Sequence, residues 1–221
     1  MRWWPRRAPL DEQRWLVVDV ESSGLNPKTD RLLAIAGVAL QRRNGGWSID
    51  LADSFEVVLL QSDHHPVDKP NILIHGIGVQ AQREGVPTRD ALRAFEQWVG
   101  QGVLVGYHSA FDQALIDRAS VNSLGRRLPN VWLDLAQLAP AVVSPPSSAP
   151  GARAPRSLDD WMQRFGIECA MRHQAAADAH ATAELWLSVW PHVSSQWPRA
   201  TTPIGFKQVA AMARRARWLP G

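Results

Sequence analysis

The chain has 221 residues, 45% of them hydrophobic and 20% charged, with a formal net charge of +3. That length suits one domain with a sizeable core, and the composition excludes wholesale disorder and shows no run resembling a membrane span. Cys169 is the one cysteine, which excludes an intrachain disulfide or thiolate cage, so a reducing, cytoplasmic setting is expected and any metal would be held by oxygen or imidazole.

Residues 1–14 read as a flexible basic and aromatic arm, with no apolar segment of the kind a secretory leader needs. Trp15-Leu-Val-Val-Asp19-Val-Glu21 is an apolar, β-branched run closed by Ser22-Ser-Gly24, the pattern of a buried strand entering a turn. A second strand is expected over Leu32 to Leu40, and Asn44-Gly45-Gly46 leads to a third near Ser54 to Leu60, so the sheet begins as an antiparallel meander. Asp63 to Gly78 reads as loop. The spacing of Ala91, Leu92, Phe95, Trp98 and Val99 predicts a helix from Thr88, as N-cap, to Val99. Val103 to Gly106 is a short buried strand, Ala110 to Ala119 a helix, and Val131 to Leu135 another strand.

Residues 139–156 are rich in Pro, Ser and Ala and read as a mobile loop. Ser157-Leu-Asp-Asp160 has the form of a capping box opening a helix that stops at Gly166. Ala175 to Trp190 consists of good helix formers. From residue 193 a basic extension follows, whose segment Phe206 to Trp218 reads as a short helix outside the core pattern. A solvated helix, a partner-docking element and an extension of a phosphate track are all compatible with it.

Asp19 and Glu21 are two residues apart on a strand, which projects both carboxylates to one face about 6 to 7 Å apart. Held there, they repel unless a cation sits between them, and a divalent ion removes that cost. An isolated Asp-x-Glu also marks the solvated end of many strands, so the pair alone decides nothing. Three later groups can complete it. Asp112 stands in the first turn of a helix, where the dipole favours an acid. Asp178 lies in an Ala-rich helix whose packed face demands a partner for a carboxylate. His173 precedes it by five residues, in a loop. The positive charge is almost all Arg, with Lys only at Lys28, Lys69 and Lys207. Arg suits bidentate phosphate contact, although a G+C-rich genome gives the same bias.

The order Asp-x-Glu, Phe111-Asp112, His173-x4-Asp178 resembles the DEDDh, or DnaQ-like, family of 3′-to-5′ exonucleases. The resemblance extends to Ser-Gly-Leu25 after the first acids, His75-Gly-Ile77, Leu133-Asp134, Ser157-Leu158-Asp159 and Arg172-His173-Gln-Ala-Ala-Ala-Asp178-Ala. It implies a ribonuclease H-like α/β domain over 15–192, with a mixed five-stranded sheet, helices on both faces and the Asp19 strand central. It further implies that Asp19, Glu21, Asp112 and Asp178 hold two Mg²⁺ or Mn²⁺ ions and that His173 is the general base. Ser22, Gly24, Leu25, His75 and Phe111 would meet the terminal nucleotide, with Leu25 wedging against its base. Two departures are Ser22-Ser23 where many members have Thr-Thr, and Tyr107-His108 where many have His-Asn.

The expected activity is metal-dependent hydrolysis of a single-stranded 3′ end, DNA before RNA, releasing nucleoside 5′-monophosphates. The alternatives are the same chemistry on RNA or oligoribonucleotides, or a non-catalytic binding subunit. A polymerase or another replication or repair protein is the expected partner, with no membrane involved.

Overall fold

The computed structural model describes residues 9–62, 69–143, 155–197 and 204–215. Five strands form one mixed sheet in the order β3-β2-β1-β4-β5. They are β1 Asp11–Ser22, β2 Leu32–Arg43, β3 Gly46–Val58, β4 Gly102–Gly106 and β5 Trp132–Asp134. The first three form the expected antiparallel meander, while β4 and β5 join β1 in parallel. The hairpin between β2 and β3 turns at Asn44 and Gly45, both at positive φ (52° and 81°), which suits the twist of the flanking strands. For that reason β3 starts at Gly46 rather than near Ser54.

The eight described helices are α1 Lys69–His75, α2 Val79–Arg83, α3 Thr88–Val99, α4 Ala110–Leu124, α5 Leu135–Val142, α6 Leu158–Phe165, α7 Ala175–Ser195 and α8 Phe206–Arg215. Because side chains alternate along β1, its two faces feed two cores. Leu16, Val18 and Val20 pack with α3 and α4, through Leu92, Phe95, Leu115 and Ile116. Trp15 and Val17 pack with α5 to α8. On that second side Trp15 lies 4.9 Å, centroid to centroid, from both Trp47 and Trp186. The alanines of α7, Ala179 and Ala183 among them, are buried and let its backbone come close to the sheet.

Several expectations need correction. The strand begins at Asp11, not Trp15, because Asp11 N–H donates to Gln101 O and Arg14 forks onto both oxygens of Asp53 (2.6 and 2.8 Å). The loop-rich stretch before Gly78 holds α1, and α2 follows directly with Gly78 as its N-cap; positions 63–68 lie outside the described residues. Pro87 occupies the N-cap of α3, with Thr88 its first residue and no side-chain cap bond. Residues 139–142 are not loop. Asp134 caps α5 by accepting from Ala136 N–H, and Leu135, Leu138, Ala139 and Val142 bury one stripe despite Pro140. Positions 144–154 lie outside the described residues. Ser157 and Asp160 form the capping box as expected, and Gly166 ends α6 in the left-handed region. Among the described residues no helix is long and apolar enough to cross a membrane.

The C-terminal helix is part of the core, not a solvated appendage. Val209, Met212 and Ala213 are buried in the tryptophan-side core, and Phe206 meets Trp15 edge-on at 6.3 Å. Glu12 accepts from Phe206 N–H at 2.8 Å and Arg42 donates to Ile204 O, so the start of β1 and the end of β2 hold the helix in place. Arg217 lies outside the described residues. Deleting residues 206 to 221 should therefore cost stability first. Each buried Val, Met or Phe side chain contributes about 1.5–3 kcal/mol. Urea unfolding that shows less than about 2 kcal/mol lost would contradict this packing.

Candidate active site

The row of β1 side chains that begins with Trp15 and Val17 continues with Asp19 and Glu21, so both acids face the α7 side. Pairing of β1 with β4 stops at Val17 opposite Val105. The two acids thus project beyond the last pair, at the open carboxyl end of the parallel strands, where α/β sheets place their sites. The chain leaves β4 at Gly106 and enters α4 at Ala110, which brings Asp112 back over the same end. That corner is tight: a Cβ on Gly106 would stand 3.0 Å from Ser109 Cβ and 3.2 Å from Asp112 Oδ2, so a side chain there would press on both. Asp178 arrives from the first turn of α7. Three elements distant in sequence therefore deliver four carboxylates to one place.

Their electrostatics show how closely they are held. Burial pushes the Asp19 carboxyl well above the usual carboxylate range, and Asp112, Asp178 and Glu21 push it further; Arg172 opposes them. Burial, then Asp178, raises Glu21 to about 8, against a backbone hydrogen bond from Ala175. Burial, then Asp134, raises Asp112, with Glu21 adding to the rise. Asp112 is 4% exposed, and its Oδ2 has no hydrogen-bond partner in the described structure.

A buried oxygen without a donor is costly. Oxygen ligands alone, several of them anionic, suit hard divalent cations, and such an ion would satisfy Asp112 Oδ2 while removing the mutual repulsion. The residues fit that group. Among the described residues no three acidic, His or Cys side chains already surround one point as a formed metal cage. Arg172 Nη1 donates instead to Asp178 Oδ1.

For a carboxyl whose folded pKa is raised, the folded state binds more protons than the unfolded one, and stability falls as pH climbs between the two values. For Glu21 the window runs from 4.5 to about 8. In chelator, the melting temperature should fall between those limits, and the increment produced by added Mg²⁺ should grow. A flat profile in chelator would mean that these acids are not crowded.

The other expected residues are placed as follows. Ser22 sits where the β1–β2 register shifts; its Oγ donates to Gly24 O at 2.6 Å and its carbonyl accepts from Asn71 of α1 at 2.8 Å. Gly24 passes so close to Asp30 that a Cβ would lie 2.5 Å from Oδ2. Leu25, 92% exposed, projects from this turn with nothing covering it. His75 is buried at the end of α1, and its Nδ1 accepts from Ile77 N–H at 2.9 Å, so that nitrogen serves the turn. Phe111 is half-buried against the α3–α4 core beside Asp112. His173 is exposed, and its backbone N–H donates to Asp178 Oδ2 at 3.2 Å.

Two residues had no assigned role in the sequence. Asp134 accepts from His108 N–H at 3.0 Å as well as from Ala136 N–H, so one carboxylate fixes both the α5 cap and the turn before Asp112. His108 has φ 59°, a left-handed conformation that His and Asn both tolerate, so the turn itself does not demand Asn here. Arg172 joins Asp159 of α6 (Nε to Oδ1, 2.6 Å) to Asp178. Asp134 and Arg172 stand inside stretches that carry the family resemblance, Leu133-Asp134 and Arg172-His173, but nothing in the sequence gave either a role.

A family model described as Exonuclease (RNase_T) matches residues 16–186. The DNA polymerase III PolC-type of Bacillus subtilis (strain 168) is 27% identical over 181 residues, 81% of this chain and 12% of that protein. The PolC-type of Listeria monocytogenes serovar 1/2a is 28% identical over 176 residues, 80% of this chain and 11% of that protein. This chain therefore spans a small part of the polymerases it matches. E. coli exonuclease I in complex with a dT13 oligonucleotide shares the fold, with a TM-score of 0.66 at 19% identity over 83% of this chain and 43% of that one. On the strength of the family match, the chain belongs to the RNase_T exonuclease family, the DnaQ-like group of 3′-to-5′ exonucleases.

Proposed function

We propose that this exonuclease removes nucleotides one at a time from the 3′ end of single-stranded DNA, using two Mg²⁺ or Mn²⁺ ions held by Asp19, Glu21, Asp112 and Asp178, and releases nucleoside 5′-monophosphates. The observation that carries the reading is the gathering of four carboxylates from β1, α4 and α7 with one buried oxygen left without a donor. Enzymes of this family generally use divalent metal ions. Bound there, the ions would activate a water and stabilise the charge on the departing 3′ oxygen.

The chain's own residues supply the rest. His173, exposed on a turn over the acids, takes the proton of the attacking water. Its neighbour Asp178 is held by that residue's backbone N–H, so proton acceptor and carboxylate keep a fixed relation. Leu25, exposed on its turn, would offer an apolar surface to the terminal base, and the backbone around Ser22 and Gly24 would supply main-chain contact. His75 and Phe111 would complete the surface that meets the terminal nucleotide. The names of the relatives and of the DNA-bound neighbour favour DNA, and with them a polymerase or another replication or repair protein as partner in the cytoplasm.

The test compares DNA and RNA strands labelled at either end, with Mg²⁺, Mn²⁺ or chelator. Stepwise shortening of 5′-labelled DNA only when metal is present supports the reading. Faster shortening of RNA would move the activity to the oligoribonucleotide alternative. Binding without cleavage in every metal would leave a non-catalytic subunit.

A further inference from the structure

Both oxygens of Asp178 are engaged by consecutive residues. Arg172 donates through Nη1 to Oδ1, and His173 N–H donates to Oδ2 at 3.2 Å. The turn that makes this possible has His173 at φ 63°, so the chain reverses sharply just before α7. The same guanidinium also reaches a second acid, with Arg172 Nε donating to Asp159 Oδ1 at 2.6 Å. The three side chains differ in exposure: Asp178 is 11% exposed, Arg172 22% and Asp159 63%. The inner acid belongs to the site and the outer one faces solvent.

Arg172 thus stands as a positive charge at the mouth of a cluster that otherwise holds only negative charge. Its field is felt as far as Asp19. Although burial works against its own charge, hydrogen bonds to Asp159 and Asp178 outweigh that and push its pKa up, so it stays a cation at any working pH. A planar guanidinium on Oδ1 and a divalent cation on the same carboxylate compete, because like charges held that close repel strongly in a partly buried site.

We propose that Arg172 is a positioning residue that acts as an internal counter-cation: it holds Asp178 and the His173 turn in the metal-free protein, and withdraws onto Asp159 when divalent ions occupy the carboxylates. The inference rests on the reading of Asp178 as a metal ligand. Its consequence is that metal occupancy releases the turn carrying His173 from one of its two ties to Asp178. The general base thereby gains freedom to follow the water or the strand once the site is charged, and not before.

The test is a calorimetric titration of the full chain with Mn²⁺, without substrate, on wild type, Arg172→Gln and Asp159→Asn, joined to thermal melts in chelator. Removing the competing cation should tighten Mn²⁺ binding by about tenfold in Arg172→Gln, the scale of a partly buried ion pair, and lower the melting temperature in chelator. Asp159→Asn should weaken Mn²⁺ binding by about threefold, since the displaced guanidinium then has no acid to receive it. Opposite signs in the two variants support the proposal. Asp159→Asn alters an exposed carboxylate outside the capping box and keeps the test open if the Arg variant unfolds: unchanged or tighter Mn²⁺ binding in it overturns the proposal. Weaker binding in both variants would make Arg172 a merely structural tie and overturn it, as would equal binding in all three proteins. Failure of every protein, wild type included, to bind Mn²⁺ would overturn the metal-site reading beneath it.

Discussion

Replacing Asp19 by Ala is expected to abolish hydrolysis while raising the melting temperature of the metal-free protein. The two effects have one cause. Asp19 is the acid on which burial and the charges of Asp112, Asp178 and Glu21 converge, so in the absence of metal its ionised form is the most crowded of the set. Taking it away relieves that repulsion in the folded state and leaves the unfolded state almost untouched. The gain should be largest at high pH, where the wild-type acids are driven to ionise against their neighbours.

With metal the sign reverses. A shared ligand is gone, and the charge stabilisation the ions give the transition state is worth several kcal/mol, at about 1.4 kcal/mol per tenfold in rate. A drop of at least about 10³-fold at saturating Mg²⁺ is therefore expected. Turnover within about tenfold of wild type would sink the two-metal reading. A lower melting temperature in chelator would show instead that Asp19 supports the fold. The same pair of measurements on Asp112→Asn tests the orphaned Oδ2, since an amide there can donate a hydrogen bond where the carboxylate cannot.

The sheet was legible because its signals are local and redundant. Trp15 to Val18 is buried on both faces and reads as a continuous apolar run, and Asn44-Gly45 carries the turn in its own residue types. Helix ends that depend on side-chain chemistry, such as Ser157 with Asp160, were equally readable. What failed were inferences from averaged composition. The stretch from 139 looked structureless because Pro, Ser and Ala dominate the window as a whole, yet its first residues finish a helix started upstream by the Asp134 cap. The C-terminal helix looked detachable because its partners, Trp15, Glu12 and Arg42, lie between 162 and 194 positions earlier in the chain, and no local pattern records such contacts.

The site divides along the same line. The acids were legible by type and order, since a strand spacing of two fixes a common face and a first-turn acid marks a helix start. Arg172 and Asp134 were not legible as members of the site. Their places depend on how α6 meets α7 and on how the β4–α4 turn meets β5, relations that exist only after folding. The family pattern supplied the residues proposed to do chemistry, and the fold alone showed which groups hold them in place.

His173→Ala is expected to lower turnover by about 10² to 10⁴-fold, the usual cost of losing a general base, with far less change in strand affinity. The backbone complicates the reading of this variant. His173 sits at φ 63°, and a residue without a short polar side chain pays roughly 1–2 kcal/mol to stay there. A loss caused by a relaxed turn would displace the N–H that binds Asp178 Oδ2 and imitate a missing base. His173→Asn separates the two, because Asn tolerates the left-handed conformation yet accepts no proton near neutral pH. If His173 takes the proton, Ala and Asn should be equally impaired. Recovery of most activity in the Asn variant would make His173 a backbone element of the turn, and the proton acceptor would then have to be found among the carboxylates themselves.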